Sequence, residues 1–188
     1  MSISTIEFVA SLETSRLILR HWKKEDFLPF RQINADRNVM EYYPAPLTAP
    51  ESDAIVERAM SHFSENGFGL YAVELKKTGS FIGFIGLQRA PIQAHFTPAI
   101  ELGWRIASEH WSHGYATEGA KDVLAFAFQE LKIPQVVAMA YKGNLRSIRV
   151  MEKLGMTYDP RDDFENPHPQ LKGTWLSTQV LYRISNAK

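Results

Sequence analysis

Two small residues, Gly114 and Ala116, interrupt the stretch Trp111-Ser112-His113-Gly114-Tyr115-Ala116-Thr117, which joins an apolar strand-like run to a long amphipathic helix. The run before it spans Ile100 to Ile106. The helix after it keeps apolar residues at Ala116, Ala120, Val123, Leu124, Ala127, Phe128 and Leu131, the spacing of one buried helical face. Small residues at this junction leave the backbone N–H groups of a helix start open to a ligand. Such an end carries roughly half a positive charge and several unpaired donors, so it suits a phosphate or pyrophosphate. A strand feeding this turn points to a phosphate-bearing cofactor. Other chemistries fit less well. There is no Gly-x-Ser-x-Gly elbow and no glycine-rich phosphate loop ending in Gly-Lys. His110 and His113 lie close in sequence, but no carboxylate or thiol stands at ligand spacing, so no metal is expected. Gly114-x-Ala116-x-x-Gly119 echoes a dinucleotide fingerprint. That fold wants an acidic residue after the next strand, and here Val136 to Tyr141 is followed by Lys142 and Gly143.

Composition narrows the field further. Lys plus Arg and Asp plus Glu balance at 21 each, which argues against a nucleic-acid partner held by net attraction. With no cysteine, a disulfide, a thiolate metal site and a cysteine acyl-enzyme are all excluded, and a reducing, cytoplasmic setting is expected. Met1 to Arg20 has Glu7 and Glu13 among its apolar residues and no early basic cluster, so it does not read as a signal peptide. The longest apolar runs fall far short of a membrane span, and no membrane partner is expected. A chain of 188 residues buries roughly 70% of its unfolded surface as one domain, the organisation expected for residues 1–188.

The elements that must hold the turn follow from periodicity and punctuation. Arg16 to Trp22 alternates like a first strand; Lys24 to Asp36 and Glu51 to Glu65 read as helices. Between them Tyr42-Tyr43-Pro44-Ala45-Pro46 reads as extended loop, because proline restricts its predecessor. Gly69 to Leu75 and Phe81 to Leu87 flank a hairpin signal at Lys76 to Ser80. After the helix from Tyr115 come a buried strand, Val136 to Tyr141, and a helix, Asn144 to Leu154, with an asparagine cap and Gly155 past its end. Thr174 to Ile184 reads as a closing strand. A hairpin followed by strand–helix–strand–helix implies a mixed α/β sheet, of the α+β type, with helices on both faces.

From about Leu12 to Ile184 this order resembles the GNAT superfamily of acyl-CoA-dependent N-acetyltransferases. The resemblance rests on the Trp111-to-Thr117 turn and on Asn144-Leu145-Arg146-Ser147 with Glu152-Lys153-Leu154-Gly155. Thr14-Ser15-Arg16-Leu17-Ile18-Leu19-Arg20, Glu101-Leu102-Gly103-Trp104 and Gly114-Tyr115-Ala116-Thr117-Glu118 are similar to its ribosomal-protein-alanine N-acetyltransferase branch. The resemblance implies a mostly antiparallel sheet with a splayed central strand pair, and acetyl-CoA as co-substrate. It also implies an amine-bearing acceptor, either a protein N-terminus or a small molecule, and a monomer or homodimer. The family's turn, Gln/Arg-x-x-Gly-x-Gly/Ala, maps onto Trp111-x-x-Gly114-x-Ala116. That assigns the diphosphate to the amides of Ser112, His113, Gly114, Tyr115, Ala116 and Thr117, with Trp111 a departure that removes a cationic or amide contact.

The same resemblance assigns Trp104, Arg105 and Ile106 to the pantetheine arm, as an added strand would pair, and Asn144 to pantetheine or a nearby backbone. Asn144 is equally a helix N-cap. Ser147, one turn on, is a candidate acid for the departing sulfur, or simply a polar surface residue. Many relatives carry a tyrosine donor where this chain has Met151, which cannot donate a proton. An α-amine of pKa near 8 is about 10% neutral at pH 7, a penalty of ~1.4 kcal/mol, against ~4.6 kcal/mol for a lysine. A weak base therefore suffices, and Glu101 is the candidate. Strand alternation puts Glu101 and Trp104 on opposite faces unless a bulge intervenes. Tyr42 and Tyr43, and the proline-rich segment Arg161 to Thr178, are candidates for the acceptor mouth. Gln179 stands where many similar chains carry histidine. A non-catalytic acyl-CoA-binding domain is the alternative reading.

Overall fold

Strand Phe81–Arg89 (β4) is buried along almost its whole length, and it forms the middle of the sheet. Its run of Phe, Ile, Gly and Leu is what a strand covered on both faces requires. The computed structural model describes residues 11–186, so the reading of Met1 to Ala10 lies outside the described residues. Before β4 come Ser11–Glu13 (β1), Leu17–Arg20 (β2), helices Phe27–Ala35 (α1) and Ala49–Asn66 (α2), and Leu70–Leu75 (β3). After it come Ile100–Ile106 (β5), helix Tyr115–Gln129 (α3), Gln135–Tyr141 (β6) and helix Leu145–Lys153 (α4). Thr157–Tyr158 (β7), Phe164–Glu165 (β8) and Thr178–Ser185 (β9) follow. Strands run β1-β2-β3-β4-β5-β6-β9-β7, with β8 also on β9. Neighbours are antiparallel except β5 and β6.

Alternation along the strands sends side chains to two cores. Tyr71 and Val73 of β3, Ile85 and Leu87 of β4, and Leu102 and Ile106 of β5 meet Ala120, Val123 and Ala127 of α3 and Met151 of α4. Leu70, Ala72 and Phe84 face the other way, onto Phe30 and Ile33 of α1 and Val56 and Ala59 of α2. Helices thus cover both faces, as expected. None of the described helices is long and apolar enough to cross a membrane.

Several boundaries differ from the sequence reading for local reasons. The stretch Lys24 to Asp36 splits into a 3₁₀ turn and α1, because Asp26 turns back to accept from the N–H of Lys23 at 2.8 Å. Residues 42–45 form turns rather than extended chain, with the Tyr43 amide donating to the Met40 carbonyl at 2.9 Å. The last strand begins at Thr178 rather than Thr174. Residues 168–177 are held in successive turns, Leu171 N–H to His168 O, Thr174 N–H to Leu171 O and Ser177 N–H to Thr174 O.

The close approach of β3 and β4 rests on Gly86. A Cβ there would sit 2.1 Å from the Gly69 carbonyl oxygen and 2.7 Å from the Leu70 Cα, backbone atoms that no rotamer change can move. Gly86→Ala is therefore expected to lower unfolding free energy by about 2 kcal/mol, read by urea titration. An unchanged midpoint would show that the two strands have slack the structure does not show.

Candidate functional site

The site begins where β5 and β6 part. They pair only at Ile100 with Val136 and Glu101 with Val137. Beyond Glu101, the edge of β5 that faces β6 has no strand partner through Ile106. The alternate N–H and C=O groups on that edge therefore need another partner or solvent. The β4 register is continuous from Ile100 to Ile106, so no bulge intervenes. Glu101, Gly103 and Arg105 consequently share one face, and Leu102, Trp104 and Ile106 the other.

At the far end of β5 the chain turns into α3 through two left-handed residues, Ser112 (φ 63°) and Gly114 (φ 82°). The first bond of the helix runs from the Glu118 N–H to the Gly114 carbonyl, 2.9 Å. Among the described residues, the amides of Ser112, His113, Gly114, Tyr115, Ala116 and Thr117 have no protein acceptor, and Gly114 supplies no side-chain cap. A Cβ on Gly114 would meet only the Arg16 Nη2, at 3.6 Å. Glycine is needed there for its positive φ, and the space beside it stays open.

Glu118, in the first turn of α3, ties this helix start to β2. Its carboxylate accepts from Thr14 Oγ1 (2.5 Å), Ser15 Oγ (3.0 Å), the Arg16 amide (2.9 Å) and Arg16 Nε (2.6 Å). Burial would raise its pKa, but the bonds from Thr14, Arg16 and Ser15 outweigh that and pull it below the ordinary carboxylate value. The Arg16 guanidinium lies 4.6 Å over the Tyr115 ring. Two motifs distant in sequence, Thr14-Ser15-Arg16 and Gly114 to Glu118, thus form one joint.

Two cavities meet at the parted strands. One, about 430 Å³, runs from Trp104, Arg105 and Ile106 to Ser112, Gly114, Tyr115, Ala116 and Thr117, against α4. The other, about 390 Å³, opens between α2, β5, β6 and the segment near Asn166 and Leu171. They share Tyr42, Tyr43, Trp104, Arg105, Asn144 and Ser147. Glu101 lies in the second, where Gln88 Nε2 donates to its carboxylate at 3.0 Å. Burial pushes the Glu101 carboxyl up to about 7 against the opposing pull of Gln88.

The structure therefore brings together most of the residues singled out from sequence. His113 was singled out for its amide, which is unpaired among the described residues like its neighbours', while its side chain is exposed, donates from Nδ1 to the Trp111 carbonyl at 2.7 Å and stacks on Tyr115. It does not line the first cavity. Asn144 caps α4 by accepting from the Ser147 amide at 3.1 Å, and it lines both cavities as well. Met151 is fully buried in the core, so that position faces neither cavity. Sequence reasoning missed the basic face of α4. Arg146, Arg149 and Lys153 all line the first cavity, and their three- and four-residue spacing was the available signal. Arg146 lies 4.5 Å over the Trp111 ring and pairs with Glu41. Among the described residues, no group of three or more His, Asp or Glu stands close enough to hold a metal ion.

A model for the acetyltransferase (GNAT) domain matches residues 16–157. This chain belongs to the GNAT acetyltransferase family. With membership comes the activity of an acetyl-CoA-dependent N-acetyltransferase. An uncharacterized protein of Bacillus subtilis, YkkB, is 33% identical over 148 residues, covering 78% of this chain and 85% of its own. The FsC-acetyl coenzyme A-N(2)-transacetylase of Aspergillus fumigatus is 29% identical over 190 residues, covering 96% of this chain and 78% of its own. A solved acetyltransferase from Agrobacterium tumefaciens superposes with a TM-score of 0.75 at 28% identity, covering 93% of each chain.

In this acetyltransferase the Glu118 joint makes a testable contribution. Arg16 is 47% exposed on its side chain, so the ion pair alone is worth less than about 1 kcal/mol. The hydrogen bonds into the charged carboxylate raise the expected loss in Glu118→Gln to about 2 kcal/mol. Because the folded pKa is lowered, this stability is present at neutral pH and lost as the pH falls through the carboxylate range. Urea unfolding of both proteins should therefore converge in acid. A gap independent of pH would rule out an ionic joint.

Proposed function

We propose that the first cavity holds acetyl-CoA, that the second holds a primary amine, and that acetyl passes between them where the cavities meet. The observation that carries this reading is the parting of β5 from β6, with unpaired α3 amides at one end and Glu101 at the other. The fit to acetyl-CoA is chemical. Bare amides at a helix start and the basic face of α4 suit phosphate oxygens. The free edge of β5 suits an amide-bearing arm that pairs as an added strand does.

Acetyl-CoA supplies an activated acyl group on a good leaving thiol. The amine nitrogen forms a bond to the thioester carbon, the carbon–sulfur bond breaks, and the sulfur leaves with its electron pair. With no cysteine in the chain, the transfer is direct. Backbone N–H groups near Trp104 on the open edge supply donors for the charge that develops on the carbonyl oxygen. Glu101, as base, takes the proton that the amine loses. Ser147 lines both cavities and its hydroxyl has no partner among the described residues, so it is assigned a hydrogen bond to the departing sulfur, which leaves as the thiolate and takes its proton from solvent. The acceptor is the α-amine of a protein or a small amine. Motif similarity from Thr14 to Arg20 and from Gly114 to Glu118 supports the ribosomal-protein-alanine branch.

A thiol-release assay with acetyl-CoA and a panel of amines tests the whole reading: release that depends on an amine is expected, and binding without release would return the chain to an acyl-CoA-binding role. Gly114→Glu is expected to abolish acetyl-CoA binding by calorimetry, since its carboxylate would occupy the place of the diphosphate. Near-wild-type affinity would remove the turn from the cofactor site.

The base assignment has its own signature. Glu101 works as a base only when ionised, so kcat/KM, expressed on the concentration of neutral amine, should rise with pH through an inflection near 7 and level off above it. Gln88→Leu removes a bond that favours the ionised form, so it should move the inflection upward. Glu101→Gln should lose the inflection and roughly 10²–10⁴ in rate. An unchanged profile in that variant would assign the proton transfer elsewhere.

A further inference from the structure

Among the described residues the charged residues with less than a tenth of their surface exposed are Asp26 and Arg105. Asp26 has its counter-ion, since Arg20 binds it through both terminal nitrogens at 2.7 and 2.9 Å. Arg105, only 9% exposed, has none. Nη1 donates to Asn34 Oδ1 at 2.6 Å, and Asn34 is fixed in turn by donating to Ser52 Oγ at 2.7 Å. The guanidinium lies 4.5 Å over the Tyr43 ring and 5.7 Å over Phe84. Its Nε has no acceptor among the described residues. A cation taken out of water without a counter-ion carries a desolvation penalty that aromatic contact offsets only in part.

This cation lines both cavities, where they meet, and stands on the same face of β5 as Glu101 of the second cavity, with their Cα atoms roughly 13 Å apart along the strand. Between them Gly103 adds no side chain. A Cβ there would meet only Leu70 Cδ2 and Phe84 Cε2, each at 3.9 Å, so the floor between the two charges is bare. Arg58, exposed on α2 and without an ion pair among the described residues, also lines the second cavity. A plain alkylamine or polyamine would bring only positive charge to a trough that already holds two unpaired arginines.

We propose that the acceptor is a primary amine carrying an anionic group, in the simplest case a carboxylate, bound with its amine toward Glu101 and its anion on Arg105. This deepens the acetyl-transfer reading and rests on it. Arg105 then acts as a specificity determinant, with the bare Gly103 floor leaving room for the carbons between the two ends. Arginine suits the task because its planar donors match a carboxylate or phosphate.

The test compares ω-amino acids, from β-alanine to aminohexanoate, with alkylamines and diamines of the same length. The amino groups of each matched set have similar pKa values, so the comparison isolates the anion. Thiol release from acetyl-CoA gives kcat/KM, and calorimetry onto CoA-saturated protein gives affinity whether or not acetyl moves. The amino acids should exceed their partners at least tenfold by both readouts, with an optimum at one length. Arg105→Met should collapse that preference to near unity, with the melting temperature reporting separately the cost of leaving the buried Asn34 Oδ1 without its donor. Arg58→Gln, at the exposed mouth, should reduce the preference severalfold. A peptide with aspartate in second place, run beside its asparagine twin, separates a protein N-terminus from a free amino acid as the source of the anion; preference for the charged member in either series supports the assignment. Alkylamines or diamines that match or exceed the amino acids in both readouts would overturn it while leaving acetyl transfer intact. Preferential binding without release would instead remove the transfer reading and leave Arg105 as an anion site.

Discussion

Backbone polar groups removed from water must find partners, and the parting of β5 from β6 leaves a row of them without strand partners at the centre of the sheet. Among the described residues, the Ile106 carbonyl alone of that row is taken, by Trp111 Nε1 at 2.7 Å. The two strands pair over two residues and then diverge. Everything proposed for this protein follows from that divergence. It opens the middle of the sheet, it lets the two cavities meet, and it offers a strand edge that an amide-bearing ligand can complete. A sheet that closed here would satisfy its own hydrogen bonds and hold nothing.

What keeps the opening in register with the helix start is Glu118. A helix N-terminus attracts negative charge, and a first-turn glutamate that folded back over its own amides would compete with any incoming anion. Here the carboxylate is drawn away, toward Thr14, Ser15 and Arg16 at the start of β2. The helix keeps its favourable acidic residue while the amides before it stay bare. One side chain thereby anchors α3 to the sheet and leaves its end available.

Much of this was legible in the chain, and the limits are instructive. Ile100–Ile106 was readable residue for residue, because apolar side chains serve the core on one face whatever the other face does. The Asn144 cap and the left-handed Gly155 followed from local chemistry that needs no tertiary context. The short strands β1, β7 and β8 were not readable, since two or three residues carry no period. Residues 174–177, with Trp175 and Leu176, pass for the start of a strand, yet the backbone bonds of 168–177 close locally. The joint between Glu118 and Arg16 spans 102 residues in sequence, and no local pattern announces a contact at that distance. His113 was singled out for its amide, and nothing in the sequence told that its ring stacks on Tyr115, a choice made by side-chain packing.

Arg105 shows where such reading fails for a deeper reason. A charged residue in a half-polar strand is ordinarily read as solvated, and only the assembled fold reveals that α1, α2 and the Tyr43 turn close over it. Glu101 lies on the same face, yet the two do not pair. Four residues of extended strand separate their Cα atoms by roughly 13 Å, and each side chain is held elsewhere, Arg105 on Asn34 and Glu101 on Gln88. Opposite charges held apart by a rigid strand cannot neutralise each other, and their fields add in the gap between them. A ligand with an amine at one end and an anion at the other would relieve both at once, whereas a ligand of one sign would relieve one and oppose the other. The spacing imposed by the pleat, more than either side chain alone, is what would make the site discriminate.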